Sequence, residues 1–154
     1  MRFYKWLTGL VAAIFYTLII AWFSSYLFVM DVDWYDLLVK PKFVPSSVFF
    51  EVCVTIVYLL TTVSLAHLIV KRNFGLRFII ILLMGILSVV FILTFFYLQQ
   101  IYIATAIMAL IWALSLSFTV ISFPRDFVCT LSSLPILVWH SFLFVITFTI
   151  ALHN

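Results

Sequence analysis

The chain has 154 residues, of which 68% are hydrophobic and only 8% charged, whereas water-soluble domains carry roughly 25% charged residues. That balance excludes a soluble globular domain, and with no hydrophilic block long enough to fold separately it predicts a single membrane domain, 1–154. The formal net charge of +3 follows from membrane topology, as argued below, and gives no basis for a nucleic-acid partner.

A bilayer core takes about 20 apolar residues of helix, and charge is costly at its centre. Charged residues therefore mark the limits of the spans. None occurs between Lys5 and Asp31, which predicts a first helix over 6–28. The stretch reads as an anchor and not as a cleaved signal peptide, being too long and lacking a small-residue cleavage site.

A polar connector follows over 29–47. It holds Asp31 and Asp33 and then WYDLLVKPKFVPS, residues 34 to 46. Pro41 and Pro45 fix φ and bias the residues before them away from helix, so Lys40 to Ser46 should be extended or turned. Trp34 and Tyr35 suit the headgroup level. Such a loop can cover an apolar ligand as a rigid lid, or simply anchor the protein at the interface.

After Glu51 the chain is uncharged to Lys71, giving a second helix over 48–70. The uncharged run from Phe78 to Pro124 is too long for one crossing and too short for three. Its polar break at Tyr97-Leu98-Gln99-Gln100-Ile101-Tyr102 divides it into helices over 76–97 and 102–123. A fifth helix covers 127–152. A β-barrel would need ten-residue segments of alternating polarity, but these runs are continuously apolar. The expected fold is an all-α bundle of five transmembrane helices.

Five crossings put the two termini on opposite sides. Arg2, Lys5, Lys71, Arg72, Arg77 and Arg125 then share one side, leaving Lys40 and Lys42 on the other. Basic residues concentrate in cytoplasmic loops, so a cytoplasmic N-terminus is expected, with the 29–47 loop outside.

Chemistry-bearing residues are sparse. Cys53 and Cys129 form no CxxC, and His67, His140 and His153 are scattered, so no metal site is expected. No GxGxxG, P-loop, nucleophile elbow or HExxH is present. With no catalytic residues to nominate, binding or transport is expected before enzymatic chemistry. Glu51, at the start of the second helix, reads as an interfacial acid complementing the helix dipole, or as a contact for a ligand at a pocket mouth. His140 projects about 100° from Trp139 and is expected to bond between helices. Ala106, Ala109, Ala113 and Ser117 form a small-residue ridge on the fourth span, which suits intramolecular packing, the preferred reading, or a homodimer.

At the loop the chain resembles a known family. The run Trp34-Tyr35-x-x-Leu38-x-Lys40-Pro41-x-Phe43-x-Pro45, followed by Phe50 and Tyr58, is similar to the signature WYxxLxKPxFxPPxWxFxxxWxxLY of the translocator proteins, also called tryptophan-rich sensory proteins or peripheral benzodiazepine receptors. Pro135 to Trp139 matches the family's Pro-x-x-x-Trp on its fifth helix, and the five-helix plan covers the whole chain. The resemblance implies a pocket for porphyrins such as protoporphyrin IX, or other flat apolar ligands. No bound cofactor is expected, and the resemblance implies a homodimer, formed through faces other than the small-residue ridge. Carried over to this sequence, the ligand-binding positions are Trp34, Tyr35, Pro41, Phe43, Pro45, Val48, Val54, Ser88, Phe91, Trp139 and Phe142. Pro135, Trp139 and Phe142 or Leu143 share one face of the fifth helix; if it looks inward, Trp139 can stack on a macrocycle, and otherwise the face serves ordinary helix packing.

Several of these positions depart from the family's pattern. Ser46 replaces the second proline, Val48 and Val54 replace tryptophans, and the family's Asn-x-x-Trp-Ser falls on Ser88, Phe91 and Ile92. Some relatives degrade porphyrin in light with two pocket tryptophans, of which only Trp139 survives. Binding, sensing or transport is therefore expected over light-dependent degradation. A ligand-free structural subunit is the third reading. The sterol motif of helix five is missing from Leu143 to Asn154. Brevity and the basic asymmetry suggest a bacterial plasma membrane, with a mitochondrial outer membrane the other setting.

Overall fold

A computed structural model describes residues 2–28 and 32–154, with only the backbone of Arg2, Phe3, Phe28, Val32 and Asp33. Asp31 and the first residues of the 29–47 loop thus lie outside the described residues. The helices are α1 (Arg2–Phe28), α2 (Val32–Leu37), α3 (Ser47–Val70), α4 (Leu76–Ile92), α5 (Ile101–Ser122) and α6 (Phe127–His153), with a π-helical stretch, Leu93–Tyr97, continuing α4. Among the described residues there is no strand. Five helices are long and apolar enough to cross a membrane: Tyr4–Leu27, Ser47–Val70, Leu76–Tyr97, Ile101–Ser122 and Phe127–His153.

The five spans close a ring. α1 packs on α3, α3 on α6, α6 on α5, α5 on α4 and α4 back on α1. The outer surface is apolar, with Trp22 at 64%, Val120 at 62% and Val138 at 69% exposure. Lipid tails are as apolar as these side chains, so burial against water cannot hold the ring together; close packing and interhelical hydrogen bonds must.

Both devices are present. On α1, Gly9, Ala13 and Thr17 recur every fourth residue, and a Cβ on Gly9 would come 2.8 Å from Val70 Cγ2 and 3.3 Å from the Ala66 carbonyl oxygen. The backbone of α1 can therefore approach α3 only because residue 9 lacks a side chain. Thr17 and Thr62 share a hydroxyl hydrogen bond of 2.8 Å across the α1–α3 seam, and Ser64 and Ser132 share one across α3–α6. Trp112 Nε1 donates to Ser141 Oγ at 3.0 Å between α5 and α6. Tyr16 donates its hydroxyl to the Leu82 carbonyl at 2.7 Å between α1 and α4. Each such bond contributes about 0.6 kcal/mol in a membrane interior.

The small-residue ridge of α5 plays no part in this packing. Ala106, Ala113 and Ser117 are exposed and Ala109 is half-buried, which corrects the expectation of intramolecular packing. α5 meets its neighbours through Ala104, Met108, Ile111, Ser115 and Phe118 instead.

In two of the short connections the chain turns left-handed without glycine. Arg72 has φ 53° and Gln99 has φ 56°. At the first, the Asn73 amide bonds the Leu68 carbonyl and the Arg72 amide bonds that of Ile69, the Schellman pattern that satisfies helix-terminal carbonyls.

Polar groups close the end of the ring that carries Lys71, Arg77 and Arg125. Asp126 caps α6 through its carboxylate, which accepts from the Cys129 amide at 3.3 Å. The same carboxylate lies 3.0 Å from His67 Nε2, 3.4 Å from Lys71 Nζ and 3.7 Å from Arg77 Nη1. Burial by itself would raise the Asp126 carboxyl, but the Cys129 amide, His67 and Lys71 outweigh it and hold the group below its ordinary range.

Candidate functional site

At the opposite end of the ring, part of the connector folds back as a short helix, α2, that the sequence did not suggest. Lys40 to Ser46 is extended or turned, with the Val44 amide bonding the Pro41 carbonyl at 3.2 Å. Ser46 caps α3 by accepting from the Phe49 amide at 3.5 Å.

The loop is docked over the bundle. Trp34 meets Phe95 edge-on at 5.6 Å between ring centroids, and Tyr35 meets Phe96 at 5.6 Å. Leu38 and Val44 join them, packed with Phe91 and Phe142 around buried Phe95, Phe96, Ile146 and Ile150. The π-helical end of α4 makes this possible, because its wider turn brings consecutive Phe95 and Phe96 toward the same face; such stretches recur at functional sites. Lys40 pairs with Asp36 at 2.8 Å and stands 4.4 Å over the Tyr35 ring. Burial raises the Tyr35 hydroxyl above its ordinary range, with Lys40 opposing and Asp36 adding to the shift.

Asn154, past the end of α6, latches the loop. Its side-chain oxygen accepts from the Val39 amide at 3.0 Å, and its side-chain nitrogen donates to the Val39 carbonyl at 3.2 Å. This pairing satisfies both backbone groups of one loop residue.

A second aromatic row runs down α6. Phe43 of the loop faces Phe142 at 6.3 Å, Phe142 faces Trp139 at 5.9 Å, and Trp139 faces Phe50 of α3 edge-on at 5.1 Å. Trp139 is 8% exposed. Its indole therefore forms part of the inner wall beneath the loop.

The expected positions divide accordingly. Trp34, Tyr35, Phe43, Phe91, Trp139 and Phe142 converge on these two rows, and Pro41 and Pro45 are half-buried in the loop. Val54 is half-buried one turn below Phe50, and Ser88, whose hydroxyl donates to the Met84 carbonyl at 2.8 Å, lies one turn below Phe91. Val48 points outward at 68% exposure and does not reach the site. Pro135 is also exposed, so it does not share an inward face with Trp139; Ile136, 3% exposed, packs inward instead. Glu51 is exposed, consistent with an interfacial acid.

Below the aromatic rows is a cavity of about 40 Å³ lined by Tyr16, Thr17, Tyr58, Ser88 and His140 among others. That is room on the scale of one water molecule. His140 Nδ1 is buried without a hydrogen-bond partner, so the interhelical bond expected of it is not formed at that nitrogen. Phe50, Phe95, Phe96, Tyr16 and Tyr58 were not among the expected site residues. The Phe95-Phe96-Tyr97 cluster at the end of an apolar run was the available signal.

No curated protein matches the chain. The sequence model of the TspO/MBR family matches residues 11–153, nearly its whole length. With five membrane helices, an aromatic loop folded over one end of the ring and the family's sequence pattern, the chain is a membrane protein belonging to the TspO/MBR family.

Proposed function

We propose that the protein binds a large, flat, apolar ligand of the tetrapyrrole class between the docked loop and the inner wall, for sensing or transport. The carrying observation is the buried Trp139, set between Phe50 and Phe142 with Phe43 of the loop above it. Several aromatic faces around one indole suit a conjugated macrocycle better than a flexible chain. The 40 Å³ cavity cannot hold such a ring, so binding requires the loop to lift and the phenylalanines to part. Trp34, Tyr35 and the Asn154–Val39 pairing would then act as the gate. The filled interior favours a second reading, a structural membrane subunit without ligand. Val54, in place of an oxidisable indole, argues against light-dependent degradation.

One titration separates these readings. Protoporphyrin IX added in the dark to the detergent-solubilised protein should quench tryptophan fluorescence saturably at micromolar concentrations. Trp139→Phe should weaken binding about three- to tenfold, since one aromatic contact contributes roughly 0.5–1.5 kcal/mol. Asn154→Ala should speed association by loosening the gate. Absence of saturable quenching would leave the structural reading.

The orientation belongs to the same proposal and rests on the basic residues gathered at one end. In a Cys53→Ser background, Lys42→Cys should react in intact cells with a maleimide that cannot cross membranes, while Arg72→Cys should not. The reverse pattern would invert the topology.

A further inference from the structure

Another cavity lies far from the loop. It has a volume of about 350 Å³ and is lined by Asn73, Leu76, Arg77, Ile121 and Arg125, at the basic end where α4 begins and α5 ends. This volume falls within the range of small-molecule sites. We propose that it is a binding site for a phosphate group, carried by an anionic phospholipid whose acyl chains lie along α4 and α5.

Arg77 carries the inference. It is only 7% exposed, yet its Nη1 is buried without a hydrogen-bond partner and stands 3.7 Å from Asp126. The Asp126 carboxylate is already engaged by His67, Lys71 and the Cys129 amide. A guanidinium has five donors in a planar fork that fits phosphate oxygens, and leaving the buried Nη1 unmatched is costly. Ser122, beside Ile121, is likewise buried with an unpartnered hydroxyl, which can donate or accept.

The remaining lining fits the same occupant. Arg125 is exposed at the rim and supplies a second guanidinium, and Asn73 an amide. Gly75 caps α4 without a side-chain hydrogen bond, so the first amides of that helix have no side-chain acceptor and favour an anion. Leu76, 61% exposed, and Ile121 extend the cavity wall into the apolar surface. Free phosphate would gain nothing from that wall, whereas a phospholipid would, and basic pockets between membrane helices suit lipid headgroups.

The full chain in a non-ionic detergent can be titrated with dioleoylphosphatidylglycerol, dioleoylphosphatidylcholine or inorganic phosphate, following the thermal unfolding midpoint. Phosphatidylglycerol should raise it saturably, and phosphatidylcholine only at higher concentration. Arg125→Gln, which removes an exposed rim residue, and Ile121→Trp, which narrows the cavity, should each raise the half-saturating concentration at least about fivefold. Arg72→Asn, which removes a neighbouring charge outside the cavity, should leave it unchanged. Equal titrations for all three variants would reduce the effect to general surface charge and overturn the site. Saturation by inorganic phosphate as tight as by phosphatidylglycerol would keep the phosphate site and overturn the lipid as its source.

Discussion

Replacing Asp126 by Asn is expected to destabilise the protein by roughly 3–5 kcal/mol, the cost of removing one partner from a buried charge cluster. Asn remains a good helix cap, so the substitution removes the charge while keeping the α6 N-terminus served. His67 and Arg77, both nearly buried, would face Lys71 without a counter-charge. Thermal unfolding in detergent measures the change, and an unaltered midpoint would show that the cluster contributes nothing.

The same residue sets a pH dependence. The native Asp126 carboxyl lies below its ordinary value of 3.8, so folding favours its charged form. Its stabilisation is fully present above that value and is lost as pH falls through the native pKa. Acid titration should therefore destabilise the parent protein more steeply than Asp126→Asn below about pH 3.8, and the difference between the two should shrink as the solution becomes more acid.

Gly85→Ala is the second change with a large expected effect. An added Cβ would collide with the Tyr16 hydroxyl and come 2.9 Å from its Cζ. That hydroxyl donates to the Leu82 carbonyl and ties α1 to α4. Overpacking there should cost roughly 1–3 kcal/mol, together with about 1 kcal/mol if the hydrogen bond is lost. Tyr16→Phe removes the colliding atom, so Gly85→Ala should cost much less in that background. Equal costs in both backgrounds would rule out the contact as the cause.

The membrane class, the number of crossings and the family pattern were legible in the chain because each depends on local runs. Uninterrupted apolar stretches between charges mark the five helices, and Trp34 to Pro45 with Pro135 and Trp139 carry the family's spacing. The Gly9-Ala13-Thr17 ridge was readable in the same way, as small residues every fourth position, but so was the similar ridge on α5, which faces outward. Spacing alone cannot tell which face of a helix meets another when lipid and protein interior are equally apolar. The same ambiguity left open which way Pro135 and Val48 point; both are exposed.

Local sequence determines what a bilayer imposes segment by segment: length, apolarity and the placement of charge. The ring order of the helices, the docking of Trp34 and Tyr35 on Phe95 and Phe96, the Asn154 latch and the gathering of His67, Lys71 and Arg77 around Asp126 join residues up to 115 positions apart. Such contacts depend on how the helices pack against one another, and no local pattern specifies them.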